Sequence, residues 1–447
     1  MSARPSIVRI GAGAGFAGDR IEPALELVEQ GSLDFLVFEC LAERTIALAQ
    51  EARQRDPTNG YDPRLIERLR RVLPAARERG VRIVTNAGAA NPMGAAQAIA
   101  QLVRELGLAP LRIAAVFGDD VLDEIRAGSY PLIDRQGSSA DLHGAISANA
   151  YLGAAPIMSA LEAGAEIVVT GRVGDPALFV GPLAHAFGWS LDDPVLIGRA
   201  TVLGHLLECA GQLSGGYFAD GGRKTVPDLA RLGFPLAEVS PDASAVLTKV
   251  AGSGGALSVG SCKEQLLYEI LDPAAYYQAD VIADFTSVVF EEIGPDRIRV
   301  HGGGGRARPA NLKVSIGYGD GYIGEGQISY AGPGAVERAR LAIAIVKERL
   351  EIIGAELSEV RAELIGLDSV DRTARSDSAP REVRVRMTGR AETEAAAMAI
   401  GNEVEALYTN GPFGGGGATR SARPVIAVAS TLIPAKLVRP GFQMVTA

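Results

Sequence analysis

The chain has 447 residues, of which 47% are hydrophobic and 22% are charged, and these proportions are typical of a globular protein. A chain of this length exceeds what one hydrophobic core usually organises, so the sequence predicts two or three domains. The formal net charge of −9 argues against nucleic acid as a partner, and no apolar run reaches the ~20 residues of a transmembrane helix.

The three cysteines, Cys40, Cys209 and Cys262, are far apart and form no C-x-x-C pair. This pattern argues against a disulfide scaffold or a zinc ribbon and fits a reducing compartment. The first residues run directly into a strand-like segment without the apolar core of a signal peptide. The sequence therefore predicts a cytoplasmic protein without a membrane anchor.

The first half of the sequence alternates short apolar runs with amphipathic segments. Strands are predicted at 7–10, 33–38, 81–85, 111–116 and 167–170, and helices at 20–29, 42–55, 63–79, 92–106 and 154–163. Nearly continuous apolar strands that alternate with helices indicate a parallel sheet with helices on both faces. Residues 1–224 are therefore predicted to form a Rossmann-like, three-layer α/β domain.

The composition becomes polar near residues 220–228, and the pattern of elements changes after this point. Strands are predicted at 312–317, 322–330, 360–367, 383–388 and 424–432, with helices at 335–353 and 392–408 and a polar linker at 368–381. A repeated strand–helix–strand pattern is typical of a split βαβ, ferredoxin-like sheet. The sequence thus predicts a second α/β (α+β) domain at 225–447.

A glycine-rich turn follows the first strand and matches the pattern G-x-G-x-x-G at Gly13, Gly15 and Gly18. This pattern occurs in dinucleotide-binding sites, where Glu39, after the second strand, would bind the ribose. However, Asp19 places the helix start after the third glycine, so a pyrophosphate would not lie on the helix N-terminus. We therefore expect an anion or a carboxylate at this turn and rank an NAD(P)-dependent oxidoreductase third.

Four polar side chains follow strands of the predicted parallel sheet: Glu39, Asn86, Arg172 and Asp175. Ligands bind at the carboxyl ends of the strands in open parallel sheets, so these four residues are candidates for one site. Arg172 could bind a carboxylate or a phosphate through two parallel hydrogen bonds. The alternative is that Asn86 and Asp175 only cap turns and helices, as these residue types often do.

A narrow polar stripe follows one face of the helix predicted near residues 199–214. Its members lie at positions i, i+4, i+7 and i+11: Thr201, His205, Glu208 and Gln212. Nearly all other positions are apolar or small, so the helix is predicted to be buried and the stripe to line a polar cavity. The glycine-rich segment that follows carries Tyr217 and favours a site. The alternative is a purely structural pair of His205 and Glu208.

Glycine-rich loops occur after Lys249 and before Arg306, and each could bind a phosphate, for example the pyrophosphate of coenzyme A. Neither is a P-loop, because no G-K-[ST] follows the glycines, and flexible connection is the alternative for both. His205 and Glu208 could supply two ligands for a divalent metal. No further cluster has ligand spacing, so we predict no metal site.

Eight segments carry a family resemblance that spans almost the whole chain. They are RIGAGAGFAGD (9–19), LDFLVFECLAERT (33–45), TNAGAANP (85–92), TGRVGDPALF (170–179), GHLLECAGQLSGGYFAD (204–220), VPDLARLGFPLAEV (226–239), SCKEQLLYEILDPAAY (261–276) and LYTNGPFGGGG (407–417). In these segments the chain resembles the acyclic terpene utilisation protein A family, with Gly174 in place of the typical Val or Ala. Longer members carry a C-terminal ferredoxin-fold domain. The chain resembles the short form, for which a small separate subunit would supply that module.

The resemblance implies a role in the catabolism of branched or terpenoid carboxylic acids at the acyl-CoA stage. The leading hypothesis is a lyase (a hydratase or dehydratase) or an isomerase, because both need an acid and a base beside a carbon next to a carbonyl. Glu208 would be the base, with a pKa raised by burial, and His205 would be the acid or would orient Glu208. The candidate catalytic residues are His205, Glu208 and Asp175, and the candidate substrate-binding residues are Gly13, Gly15, Asp19, Glu39, Asn86, Arg172, Gln212, Tyr217 and Lys249.

The alternative hypothesis, from a different functional class, is a non-catalytic ligand-binding or scaffold subunit of a catabolic complex. Under the leading and the alternative hypotheses, the expected ligand is a small-molecule acid or its coenzyme A thioester, and no further cofactor is predicted. We also expect the protein to form a homo-oligomer.

Overall fold

The computed structural model describes residues 4–371, residue 373 and residues 380–447 of the chain. Residues 372 and 374–379 of the predicted polar linker lie outside the described residues. The internal contacts divide the chain into two compact units. The first unit runs to Gly317 and resumes at Val428, and the second contains Tyr318–Ala427.

Eighteen strands are numbered here along the described part of the chain. They are β1 (Val8–Ala14), β2 (Phe35–Phe38), β3 (Arg82–Thr85), β4 (Arg112–Phe117), β5 (Ala145–Ala150), β6 (Ile167–Val169), β7 (Pro235–Val239), β8 (Ala245–Lys249), β9 (Tyr276–Tyr277), β10 (Ile282–Asp284), β11 (Val289–Gly294), β12 (Arg297–His301), β13 (Gly304–Arg306), β14 (Asn311–Ala331), β15 (Glu359–Ile365), β16 (Glu382–Ala391), β17 (Gly416–Pro434) and β18 (Gly441–Thr446). Ten of them form the main sheet of the first unit, in the order β11-β12-β8-β7-β1-β2-β3-β6-β4-β18. A second sheet has the order β13-β10-β9.

The centre of the main sheet consists of the parallel strands β1, β2, β3, β6 and β4. These strands are nearly continuous apolar runs because both of their faces are buried, as all four residues of β2 show. The predicted α/β class is confirmed, and the parallel centre agrees with a Rossmann-like arrangement.

Antiparallel strands flank the parallel centre on both sides, so the sheet is mixed rather than parallel throughout. β7 pairs antiparallel with β1, followed by β8, β12 and β11, and β18 pairs antiparallel with β4. Residues beyond 224 therefore complete the first sheet, and the boundary expected there does not coincide with the division between the two units. A change in composition does not reveal this pairing, because β7 forms its hydrogen bonds with a strand at the start of the chain.

The helices are α1 (Glu22–Gln30), α2 (Glu43–Arg55), α3 (Leu65–Arg79), α4 (Pro92–Glu105), α5 (Leu122–Ala127), α6 (Ala155–Glu162), α7 (Ala177–Phe187), α8 (Pro194–Glu208), α9 (Val259–Leu267), α10 (Ala335–Ile352) and α11 (Glu394–Asn410). In the first unit, α3 contacts both α1 and α4, and α7 contacts both α6 and α8.

Asp193 caps α8 by accepting hydrogen bonds from two backbone N–H groups, and every residue from Ala200 to Glu208 is buried. None of the helices in the described ranges is both long enough and apolar enough to cross a membrane.

The second unit follows the order β14, α10, β15, β16, α11 and β17. Its sheet has the order β15-β16-β14-β17, and β16 is antiparallel to both β14 and β15. This is the split βαβ, ferredoxin-like arrangement that the sequence predicts. β14 is one continuous strand, whereas the sequence predicts two strands over the same residues.

Candidate functional site

A cavity of about 780 Å³ lies in the first unit, where the segments after β1, β2 and β6 meet the end of α8. The carboxyl ends of parallel strands are the usual ligand site of an open α/β sheet, and the volume suits an organic ligand. Its charged lining residues are six acids and two arginines: Asp19, Glu39, Glu43, Asp175, Glu208, Glu269, Arg20 and Arg172. The wall of the cavity is therefore strongly acidic.

Glu208, the last residue of α8, lines the cavity, and His205 lies one turn earlier on the same helix. His205 Nδ1 lies 2.8 Å from Glu208 Oε1, a contact that the i, i+3 spacing predicts. Glu208 Oε2 and His205 Nε2 are buried, and neither has a hydrogen-bond partner among the described residues. Burial raises the pKa of Glu208 to about 7, although His205 opposes this shift. Such a carboxyl group can both accept and return a proton near neutral pH.

Glu39 and Asn86 meet because they follow the neighbouring parallel strands β2 and β3. The Asn86 Nδ2 group donates a hydrogen bond of 2.8 Å to Glu39 Oε1, and Asn86 Oδ1 accepts one of 2.7 Å from the Cys40 N–H. Burial and the negative charge of Asp175 raise the pKa of Glu39 well above its ordinary value, while Arg172 opposes this shift. Glu39 lines the cavity, and Asn86 lies behind it as a buried positioning residue.

Arg172 is buried, and its guanidinium is already bound by protein acceptors. It donates to the carbonyl oxygens of Leu41 at 2.6 Å and Val173 at 2.9 Å and to the carboxylate of Asp175. Its Cζ also lies 4.5 Å from the centre of the Tyr151 ring. The two-bond contact with a ligand carboxylate, expected from the sequence, stays a prediction, and three of the five N–H groups already have protein acceptors. The position of Arg172 instead suits it to fix the segment after β2.

Asp175 shares the acidic wall with Glu39 and Glu208, and its side chain is 34% exposed. Partial burial raises its pKa, and the adjacent Arg172 guanidinium opposes the shift. Three carboxyl groups with raised pKa values therefore line one cavity. Like charges at close range do not all ionise together, so this arrangement can hold protons at neutral pH.

Glu43 is a cavity residue that the sequence analysis did not select. Its Oε1 accepts hydrogen bonds from the Tyr151 hydroxyl at 2.6 Å and from Lys313 Nζ at 3.2 Å. Burial opposes ionisation of Glu43, but these hydrogen bonds and the charge of Lys313 lower its pKa to about 2. In the sequence, Glu43 could have been selected as a second acidic residue four positions after Glu39.

Part of the cavity lining is apolar, and its members are Phe16, Leu41, Leu229, Leu232 and Phe234. Gln212 and Tyr268 line this cavity and also an adjoining groove of about 230 Å³. Tyr217 lies in that groove, 73% exposed, with its ring centre 5.8 Å from that of Tyr268 in an edge-on contact. Tyr217 is therefore beside the cavity rather than in its lining.

The glycine-rich turn brings Gly15 and Asp19, but not Gly13, into the cavity lining. The Gly15 N–H donates a hydrogen bond of 2.9 Å to Asp19 Oδ2. A Cβ atom on Gly15 would lie 2.5 Å from the carbonyl carbon of Cys209, so only glycine allows this approach. Gly13 packs against the ring of Phe38 instead.

Lys249 lies at the end of β8 and is not part of the cavity lining. Its Nζ donates to the Ser253 carbonyl oxygen at 2.7 Å and lies 3.2 Å from the Asp296 carboxylate. These partners make it a buried structural cation.

Glu269, which the sequence analysis did not select, lines the cavity with a φ of +60°. Sequence pattern gives no signal for a glutamate in this left-handed conformation.

Potential metal ligands do not gather into a site in the described part of the chain. No group of three or more His, Cys, Asp or Glu residues there could hold a metal ion. The acidic wall combines carboxyl groups from several segments of the first unit. Carboxyl groups can transfer protons and form hydrogen bonds.

Comparisons with known proteins address the whole chain. The family model described as acyclic terpene utilisation family protein AtuA matches residues 8–444. The matched range includes every residue that lines the cavity. No curated protein matches the sequence.

Proposed function

This chain belongs to the acyclic terpene utilisation family, and from that premise we propose that it is an enzyme in the breakdown of branched or terpenoid carboxylic acids. We assign it to the hydro-lyases or isomerases that act on an acyl-CoA. The observation that carries this proposal is the carboxyl group of Glu208, which is buried, lines the cavity and has a pKa of about 7. Perturbed pKa values of this kind are concentrated at catalytic sites.

Both reaction types begin with the same proton transfer. Glu208, as a carboxylate, removes a proton from the carbon beside the thioester carbonyl, and the electron pair of the C–H bond moves toward the carbonyl oxygen. In a dehydration, that pair forms a C=C bond while the hydroxyl on the next carbon leaves with the proton from Glu208 as water. In an isomerisation, the proton returns to a different carbon and the double bond moves. Neither route needs an oxidant.

His205 acts on Glu208 and not on the substrate in this proposal. Its ring packs against the rings of Tyr276 and Phe285, each with a centroid distance of 5.5 Å. It is absent from the described cavity lining, and its Nδ1 contacts Glu208 Oε1. When His205 Nδ1–H donates to Oε1 of Glu208, Oε2 remains as the oxygen that exchanges the proton with the substrate. Of the two roles considered for His205, its position supports orientation of Glu208.

The lining favours a thioester over a free carboxylate as the substrate. A carboxylate would meet the ionised members of the acidic wall, and the buried arginine that could bind it already contacts Leu41, Val173 and Asp175. A thioester carbonyl carries no net charge, so the acyl end of such a ligand avoids this repulsion. The apolar part of the lining suits a branched hydrocarbon chain, because its burial is favourable by about 25 cal/mol per Å².

The test is solvent deuterium exchange at the carbon beside the carbonyl, measured by mass spectrometry for a panel of branched acyl-CoA thioesters. Wild-type protein is expected to exchange this proton with at least one thioester. Glu208→Gln should slow exchange by about 10²–10⁴-fold, the contribution of a general base. The matched control is Glu348→Gln, an exposed site on α10, and it should leave the rate unchanged.

Thermal unfolding on the same panel separates binding from chemistry. A thioester at 100 times its dissociation constant should add about 2.7 kcal/mol to the stability of the folded protein. Binding with neither exchange nor turnover by the wild-type protein would contradict the enzyme proposal and support the ligand-binding or scaffold alternative. Turnover that requires NADH would support the oxidoreductase alternative.

A further inference from the structure

The two carboxyl oxygens of Glu39 have different surroundings. Oε1 accepts two hydrogen bonds of 2.8 Å, one from the Leu41 N–H and one from Asn86 Nδ2. Asn86 cannot reverse its amide without loss of the hydrogen bond that its Oδ1 accepts from the Cys40 N–H. In the ranges that the structure describes, the hydrogen bonds of the Glu39 carboxyl group both go to Oε1, and Glu39 lines the cavity. Oε2 is therefore the oxygen available to a ligand.

The charges around Glu39 disfavour its ionisation to a buried carboxylate. The cation whose charge acts on Glu39, Arg172, donates to Leu41, Val173 and Asp175 and makes no hydrogen bond to Glu39. Burial and the charge of Asp175 raise the pKa of Glu39, and the charge of Arg172 only partly offsets them. The donors on Oε1 are neutral groups, a backbone N–H and a side-chain amide. This pattern suits a carboxylic acid, whose carbonyl oxygen accepts hydrogen bonds while its hydroxyl donates one.

We propose that Glu39 is a neutral carboxylic acid whose Oε2–H donates a hydrogen bond to the carbonyl oxygen of the substrate. This inference rests on the proposed function and adds a second catalytic group to it. When Glu208 removes the proton beside the carbonyl, negative charge develops on that oxygen, and a neutral donor stabilises it without repulsion. Glu39 keeps its own proton, so the atom balance of the reaction is unchanged. A carbonyl with no negative charge of its own is the matching substrate class.

Two substitutions distinguish a neutral donor from a carboxylate. In Glu39→Gln, the amide oxygen must take the place of Oε1, because Leu41 and Asn86 both donate there, so the amide N–H₂ faces the cavity as a donor. Glu39→Gln is therefore expected to retain kcat/KM within about tenfold. Glu39→Leu lacks the donor and should lose about 10²–10³-fold, the usual effect of one oxyanion donor. Equal losses in both variants would overturn the proposal.

Infrared spectroscopy tests the protonation of Glu39 without any turnover. The difference spectrum between wild-type protein and Glu39→Gln at pH 7 should show loss of the C=O stretch of a protonated carboxyl group. Glu348→Gln provides the reference spectrum for loss of an exposed carboxylate on α10. A spectrum for Glu39→Gln that matches this reference would overturn the assignment. Because these spectra need no substrate, failure of the proposed reaction and failure of the Glu39 assignment are separate results.

Discussion

His205 Nδ1 lies 2.8 Å from Glu208 Oε1 on the last turns of a buried helix, and only Glu208 of this pair lines the cavity. The imidazole is packed against the rings of Tyr276 and Phe285, and its Nε2 has no partner among the described residues. The pair is thus asymmetric: the carboxyl group is placed to meet a ligand, and the imidazole is placed to hold the carboxyl group. The effect of the His205 imidazole should therefore appear in the pKa of Glu208.

His205→Phe is expected to raise the pKa of Glu208 above about 7, because the substitution removes the group that opposes the effect of burial. Glu208 acts as a base only when ionised, so the acidic limb of the kcat/KM profile should move to higher pH. The measurement is the pH dependence of deuterium exchange between pH 5 and 9. His143→Phe, at an exposed site, is the control and should leave the limb in place. An unmoved acidic limb in His205→Phe would show that His205 does not act through Glu208.

Glu208→Gln should change how stability depends on pH. The pKa of Glu208 is about 7 in the folded protein and about 4.5 in the unfolded chain, so between these values the folded state binds more protons. The free energy of unfolding contributed by this group therefore falls as pH rises from 4.5 to 7, by up to about 3 kcal/mol. Urea unfolding at pH 5 and pH 8 measures it. The wild-type protein should lose stability relative to Glu208→Gln over this interval, and a difference that is independent of pH would contradict the assigned pKa.

Part of the site could be predicted from sequence because it depends on local geometry or on general topology. His205 and Glu208 meet because residues three apart share one face of a helix. Glu39 and Asn86 meet because they follow adjacent parallel strands, whose carboxyl ends share one edge of the sheet. The burial of α8 from Ala200 to Glu208 could be predicted from the apolar residues that surround its polar stripe.

The rest depends on contacts between distant parts of the chain. Arg172 has the residue type of a carboxylate ligand, and only the folded chain shows that the Leu41 carbonyl already occupies one of its donors. The ion pair of Lys249 also depends on a distant part of the chain, because its partner Asp296 lies in the turn between β11 and β12. Local sequence patterns do not predict the pairing of β7 with β1, which places residues beyond 224 in the main sheet.

Arg172→Lys is expected to destabilise the protein rather than to weaken substrate binding directly. A lysine has no planar fork and cannot bond Leu41, Val173 and Asp175 together, so the free energy of unfolding should fall by about 1–3 kcal/mol. Urea unfolding and KM for the best thioester are measured together. The control Arg70→Lys changes an exposed ion pair with Glu105 and should cost under about 1 kcal/mol. A raised KM with unchanged stability would instead support direct binding of the substrate by Arg172.

Gly15→Ala should disturb the contact that joins the end of β1 to the residue after Glu208. The added Cβ atom would lie 2.5 Å from the Cys209 carbonyl carbon, so the backbone of one segment must move. Overpacking of this kind costs about 1–3 kcal/mol, and displacement of Cys209 should also slow deuterium exchange by moving Glu208. The matched control is Gly221→Ala, where a Cβ atom meets nothing within 4 Å. If both variants unfold at the same urea concentration and exchange at the same rate, the close approach at Gly15 does not position the base.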